Sequence, residues 1–118
     1  MPAYNSGILG QSTPTATTLI TIYTAPALIT SSVAVTACNR AAVACSIRVA
    51  VVNAAGTTTS YIAYDEPLPP AGQQGNQFQM RAVALGPGQY IRVYSTNATT
   101  DFVATGFEQP SSAASLDA

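Results

Sequence analysis

Apolar and polar residues alternate along much of this chain with a period of two, the spacing of strands with one dry face. The pattern is clearest over residues 31–52. Ile47, Val49 and Val51 alternate there with Ser46, Arg48 and Ala50. Just before them, Val33, Val35 and Ala37 alternate with Ala34 and Thr36. Asn39, Arg40 and the following alanines form a short polar-to-small connection between the two runs. The spacing predicts a β-hairpin at the middle of a sheet, with the rest of the chain arranged around it.

Five further strands follow from the same reading. Residues 18–24 are rich in β-branched side chains and end at Pro26, which has no ladder donor to offer. The first hairpin strand runs over about residues 28–38, with Ser31 and Ser32 marking a bulge or bend, and the second over 44–53. Residues 59–64 form the next strand. The proline-rich stretch 65–76 is read as a crossover between two sheets. Phe78, Met80, Ala82 and Ala84 then share one face of a strand. Gly86, Pro87, Gly88 and Gln89 fit a type II turn, with Pro87 fixing φ and Gly88 supplying the positive φ after it. Residues 90–95 and 101–108 complete the set.

About seven short antiparallel strands, one crossover and no helical period predict an all-β sandwich or jelly roll over residues 17–109. Residues 1–16 carry two prolines and no sustained period, and are expected to form an extended arm anchored by Ile8 and Leu9. Residues 110–118 are low in complexity and read as a C-terminal tail.

Composition adds a constraint on the outside of this domain. Only 8% of the 118 residues are charged, against about 25% in ordinary soluble domains. Lys, His and Trp are absent, and the polar residues are mostly Thr, Ser, Gln and Asn. Such a surface suits a protein covered by other protein subunits rather than one freely solvated. A net charge of −1 argues against nucleic acid as a partner. Arg40 and Arg48 interrupt the longest apolar stretch, so no membrane span is expected, and no secretory leader opens the sequence. Cys38 and Cys45 are expected to be two small reduced residues; their spacing permits a cross-hairpin disulfide without requiring it.

Catalytic chemistry is hard to assemble from this alphabet. A serine nucleophile lacks both His and Lys as a base, and zinc lacks a ligand set. Asp65 and Glu66 are adjacent, so a strand sends them to opposite faces. Asp65 with Asp101 forms a carboxylate pair only on paper. No enzyme, metal or cofactor is expected. Asn97, Ala98 and Thr99 match a glycosylation sequon and are read as a polar turn. Tyr90, Arg92 and Tyr94 share one outward face, a strip that suits a protein interface better than a sugar platform.

The order of these segments also resembles a family. Residues 8–11, 19–27, 31–39, 47–51, 61–65 and 91–95 together resemble the small β-sandwich virion proteins of tailed bacteriophages, especially cyanophages, over residues 8–108. That resemblance implies a structural virion protein without catalytic residues; Cys45 departs from the pattern. The expected role is a capsid cement (decoration) protein that stabilises the phage head by bridging capsomers. Its expected partners are the major capsid protein and copies of itself as a homo-oligomer, a trimer, in a virion assembled in the host cytoplasm. Neither nucleic acid nor membrane is expected as a partner. The alternative is a tail-tip or fibre module binding a host receptor or glycan. Ile8, Leu9, Tyr90, Arg92 and Tyr94 are the expected interface residues.

Overall fold

A computed structural model of the chain describes residues 5–110. The first four residues of the expected arm, and the expected tail from residue 111 onward, lie outside the described residues. Among those described, every regular element is a strand: β1 (Ser6–Ser12), β2 (Ile20–Thr24), β3 (Ile29–Asn39), β4 (Cys45–Val52), β5 (Thr59–Leu68), β6 (Gln77–Gln79), β7 (Val83–Leu85), β8 (Tyr90–Ser95) and β9 (Thr100–Pro110). Among the described residues, no helix is long and apolar enough to cross a membrane.

The strands form two antiparallel sheets. One has the order β1-β9-β3-β6, with β7 also on β3; the other has the order β2-β8-β4-β5. Both β6 and β7 pair with the same edge of β3, so they act as one interrupted strand. Counted that way, first pairs with last, second with second-last, third with third-last, and the middle two with each other. The chain is thus one long antiparallel ribbon rolled into two layers, which is a jelly roll. The all-β sandwich expected from the alternation is what forms.

The expected central hairpin does not form. Its two runs become β3 and β4, which lie in opposite sheets. Both runs are dry on one face, and here those faces meet across the core instead of lying side by side. Val33, Val35 and Ala37 on β3 and Ile47 and Val49 on β4 are fully buried, together with Ile91, Val93, Phe102 and Ala104. Asn39 holds the corner between the sheets. Its side-chain amide donates to the carbonyls of Val43 at 2.9 Å, Leu68 at 3.3 Å and Pro69 at 3.0 Å. Its side-chain oxygen accepts from Ala41 N–H at 2.9 Å and from Asn97 Nδ2 at 3.2 Å. Asn97 of the sequon is therefore a corner residue, also accepting from Thr100 Oγ1 at 2.7 Å.

Other boundaries shift for local reasons. Ser6–Ser12 of the expected arm is strand β1, paired with the chain's own β9. Ser31 and Ser32 pair in regular register, so no bulge forms there. β5 continues through Leu68, which leaves a crossover of only residues 69–76 between the sheets. The single strand expected from Phe78 onward breaks over residues 80–82. Phe78 and Met80 turn inward before the break, Val83 and Leu85 after it, and Ala82 and Ala84 stay exposed. The type II turn forms as expected: Gly88 has φ +80°, and Gln89 N–H donates to Gly86 O at 3.1 Å. Cys38 and Cys45 are free thiols in different sheets, with Cys45 buried.

A second polar knot closes the opposite end of the core. Glu108 is buried on β9 and accepts the Tyr23 hydroxyl at 2.5 Å, while Ser31 Oγ lies 2.6 Å from the same hydroxyl. Asn5 N–H donates to Glu108 Oε1 at 3.1 Å. Burial first, and the bond to Glu108 next, push the Tyr23 hydroxyl from 10.0 up to about 12. A group that holds its proton more tightly when folded contributes stability fully below its unfolded value and loses it as pH rises toward the folded one. Urea midpoints should therefore fall between pH 10 and about 12, and Tyr23→Phe should flatten that slope. An unchanged slope in the variant would place the alkaline loss elsewhere.

Candidate interaction surface

The most developed cluster on the outside sits on the outer face of the β2-β8-β4-β5 sheet, and two bulges build it. Between the pairs Ile47↔Glu66 and Val49↔Ala63, β5 places both Tyr64 and Asp65 opposite the single residue Arg48. Between Val49↔Ala63 and Ala50↔Tyr61 it inserts Ile62 as well. In a regular strand, residues three apart point to opposite faces. The extra residue at Ile62 restores Tyr61 and Tyr64 to one face, and their rings meet edge-on at 4.9 Å. Asp65 adopts φ +54°, a left-handed conformation that aspartate tolerates better than most residues.

Arg48 fills the centre of this cluster. Its register neighbour on β8 is Tyr94, and its guanidinium lies 4.6 Å from the centroid of that ring and 4.2 Å from the Tyr64 ring on the other side. Its Nε donates to Asp65 Oδ1 at 2.7 Å. The bond to Asp65 raises the Arg48 pKa further above its usual value. The guanidinium is thus held by two rings and a carboxylate before any partner arrives. Beside it, Ala50 is fully buried although it shares the outer face, flanked in register by Arg92 and Tyr61.

Tyr90, Arg92 and Tyr94 lie half-buried on the outer face of β8, alternating with buried Ile91, Val93 and Ser95. They do not act as one strip. Tyr94 belongs to the Arg48 cluster, Arg92 donates to the Leu19 carbonyl at 2.9 Å, and Tyr90 sits by the Gly56 turn. Ile8 is 60% exposed on β1 of the other sheet, and Leu9 is the extra residue of a bulge, packed against the core. The five expected interface residues therefore fall on two separate faces. Arg48, Tyr61, Tyr64 and Asp65, which the sequence reading left out, form the denser group. The spacing of Tyr61 and Tyr64 was visible in the sequence, but the bulge that brings them together was not.

The outer face of the other sheet carries almost no charge. Val103, Thr105 and Phe107 of β9 run beside Thr36, Ala34 and Ser32 of β3, and Phe107 is 50% exposed. Its one acid, Asp101, is bonded to Arg40 Nε at 2.6 Å and to the Thr13 hydroxyl at 2.6 Å. Both bonds, that of Arg40 first, hold its carboxyl below the usual carboxylate range. Asp65 and Asp101 lie in different sheets, and Glu108 is committed to Tyr23. Among the described residues, no three Cys, Asp or Glu side chains gather into a metal-binding group.

No family model matches the chain, and no curated protein matches it. Two solved structures of a pentameric capsid protein isolated from metagenomic phage sequences are similar to it, each with 19% identity and a TM-score of 0.44. The likeness covers 88% of this chain and 62% and 60% of those chains, so the chain spans less than two thirds of their length. At that identity and score the likeness carries no weight as to role.

Proposed function

We propose that this protein is a structural subunit of a bacteriophage virion, a capsid cement protein that stabilises the head by bridging capsomers. The observation that supports it is the tyrosine–arginine cluster around Arg48, preassembled on a chain of which only 8% of residues are charged. Tyrosine and arginine are the residues on which protein interfaces concentrate their binding energy. Because Arg48 is already fixed by Tyr64, Tyr94 and Asp65, docking there costs little ordering of side chains.

Faces, not edges, carry the contact in this reading. β1, β2 and β5 each hold an extra residue, and β6 and β7 are separated by a break, so no edge presents an uninterrupted row of donors and acceptors. Bulged and broken edges resist pairing with another strand. An arm that adds a strand to a neighbour's sheet, the arrangement the sequence invites, has no regular edge to receive it here. The subunit instead lays a face on the major capsid protein and on copies of itself in a closed homo-oligomer, the trimer being the expected form. A protein that binds only the assembled shell shifts the assembly equilibrium toward the shell. The role is non-catalytic.

The glycan-binding alternative is weaker on the same geometry. A sugar stacks on an open ring face, and Arg48 already covers one face of Tyr64 and one of Tyr94. Quantitative mass spectrometry of the purified particle separates the two readings. A cement protein should stand in a fixed ratio near that of the main shell subunit. A copy number far below the shell subunit would contradict the cement role and favour the tail or fibre.

A further inference from the structure

Among the described residues, Arg92 alone has a buried side-chain donor that bonds to nothing. Its Nε is covered and meets no acceptor, while Nη2 donates to the Leu19 carbonyl at 2.9 Å. A buried donor without an acceptor is unfavourable, and natural proteins keep few of them. The other three arginines do not share this condition. Arg40 and Arg48 each bond a carboxylate, that of Asp101 and that of Asp65. Arg81 is exposed in the break between β6 and β7, where solvent reaches it.

The surroundings of Arg92 resemble those of Arg48 with one part missing. Arg48 has a tyrosine ring on either side and a carboxylate on its Nε. Arg92 stands between Tyr90 and Tyr94 on the same face of β8. Its register neighbours are Thr21 on β2 and the fully buried Ala50 on β4. None of these four is an acid, so the tyrosines are present and the carboxylate is not.

We propose that Arg92 is a carboxylate-binding site and that Glu66 of a second copy of this chain fills it, which rests on the reading that copies meet through this sheet. Charge complementarity selects Glu66. Asp65 and Asp101 are held in ion pairs, and Glu108 is buried against the Tyr23 hydroxyl. Glu66 is exposed and makes no ion pair among the described residues. It lies at the rim of the same sheet, on edge strand β5, opposite Ile47 and three positions along β4 from Ala50. Each copy thus carries both halves of the contact, which can repeat until the assembly closes. On docking, the guanidinium turns outward and gives Nε and a terminal nitrogen to the two carboxylate oxygens, the fork an arginine offers a carboxylate. Tyr90 and Tyr94 flank the pair and keep water from it, which strengthens the attraction.

Sedimentation velocity on the full chain tests this. Arg92→Glu and Glu66→Arg should each weaken self-association about tenfold or more, and the two together should restore it to within about threefold, as a close charge pair at an interface requires. Glu66 is exposed, so Glu66→Gln leaves the core untouched. That variant should weaken association about fivefold and flatten its decline between about 50 mM and 500 mM salt. Single variants that weaken association without recovery in the double reversal would overturn Glu66 as the acid. Association unchanged in every variant would overturn the Arg92 site while leaving intact the reading that copies meet. An unsubstituted chain that stays single at every concentration would overturn both.

Discussion

Gly106→Ala should leave the protein at best marginally folded. Gly106 sits in the middle of β9, paired with Val33 on one side and Gly7 on the other. A Cβ at this position would overlap the Ser32 carbonyl oxygen, with the Ser32 carbonyl carbon at 2.8 Å and Val33 Cα at 3.1 Å. All three atoms are backbone, so no side chain can swing aside, and relief requires parting the β9–β3 ladder at the centre of its sheet. Overpacking ordinarily costs about 1–3 kcal/mol; with backbone as the obstacle the expected cost is about 4 kcal/mol or more. A domain of this size has roughly 5–15 kcal/mol in total. Thermal unfolding should show a fall of about 15 °C or more. Gly72→Ala is the control, since its φ is +84° but nothing lies within 4 Å of its Cβ, and left-handed strain alone costs about 1–2 kcal/mol. Equal losses in the two variants would show that close packing at Gly106 is not what holds the sheet.

The second large effect belongs to association rather than folding. Tyr64 is 59% exposed, so its removal touches little of the core. It also forms one wall of the Arg48 site. If the cluster is where subunits meet, Tyr64→Ala should weaken self-association about thirtyfold, the loss expected when a hot-spot tyrosine is truncated. Arg48→Ala should act in the same direction, and the double variant should lose less than the two single losses combined, because both remove parts of one unit. Thermal stability should change little, since exposed ion pairs and exposed rings contribute little to folding. Association unaltered in the double variant would move the interface to another face, of which the Ile8 and Phe107 side is the next in order.

Much of the fold was legible in the sequence because alternation is a local signal. β8 and the Gly86–Gln89 turn appear where residue types placed them, since Pro87 and Gly88 leave the backbone few choices. What the alternation does not carry is partnership. β3 and β4 each show one dry face, and that pattern is the same for two strands side by side and for two facing each other across a core. The ladders of β3 with β9 and of β4 with β5 and β8, and the hydrogen bonds of Asn39 to carbonyls 29 and 30 residues away, distinguish the corner from a hairpin. β1 escaped notice for a different reason. Its ladder with β9 is backbone bonding, and Leu9 is its one residue packed on the core, so almost no side-chain period was there to read.

The candidate site was legible only in part, for a reason of phase. One extra residue in a strand leaves the composition unchanged but turns every later side chain to the opposite face. The insertion at Ile62 brings Tyr61 and Tyr64 together, and the one at Tyr64 and Asp65 sets a ring and a carboxylate around Arg48. The break at residues 80–82 works the same way, exchanging Ala82 and Ala84 for Val83 and Leu85 on the inner face. β8 has no extra residue, which is why Tyr90, Arg92 and Tyr94 were placed on the outer face from the sequence alone.

An exterior with so few charges is expected to be covered by other subunits. Light scattering on the purified full chain at micromolar concentration tests this most directly. A mass that is a whole-number multiple of the single chain, falling to one chain in the Arg48→Ala/Tyr64→Ala variant, is the predicted result. A well-folded chain that stays monomeric at every concentration reached would contradict it.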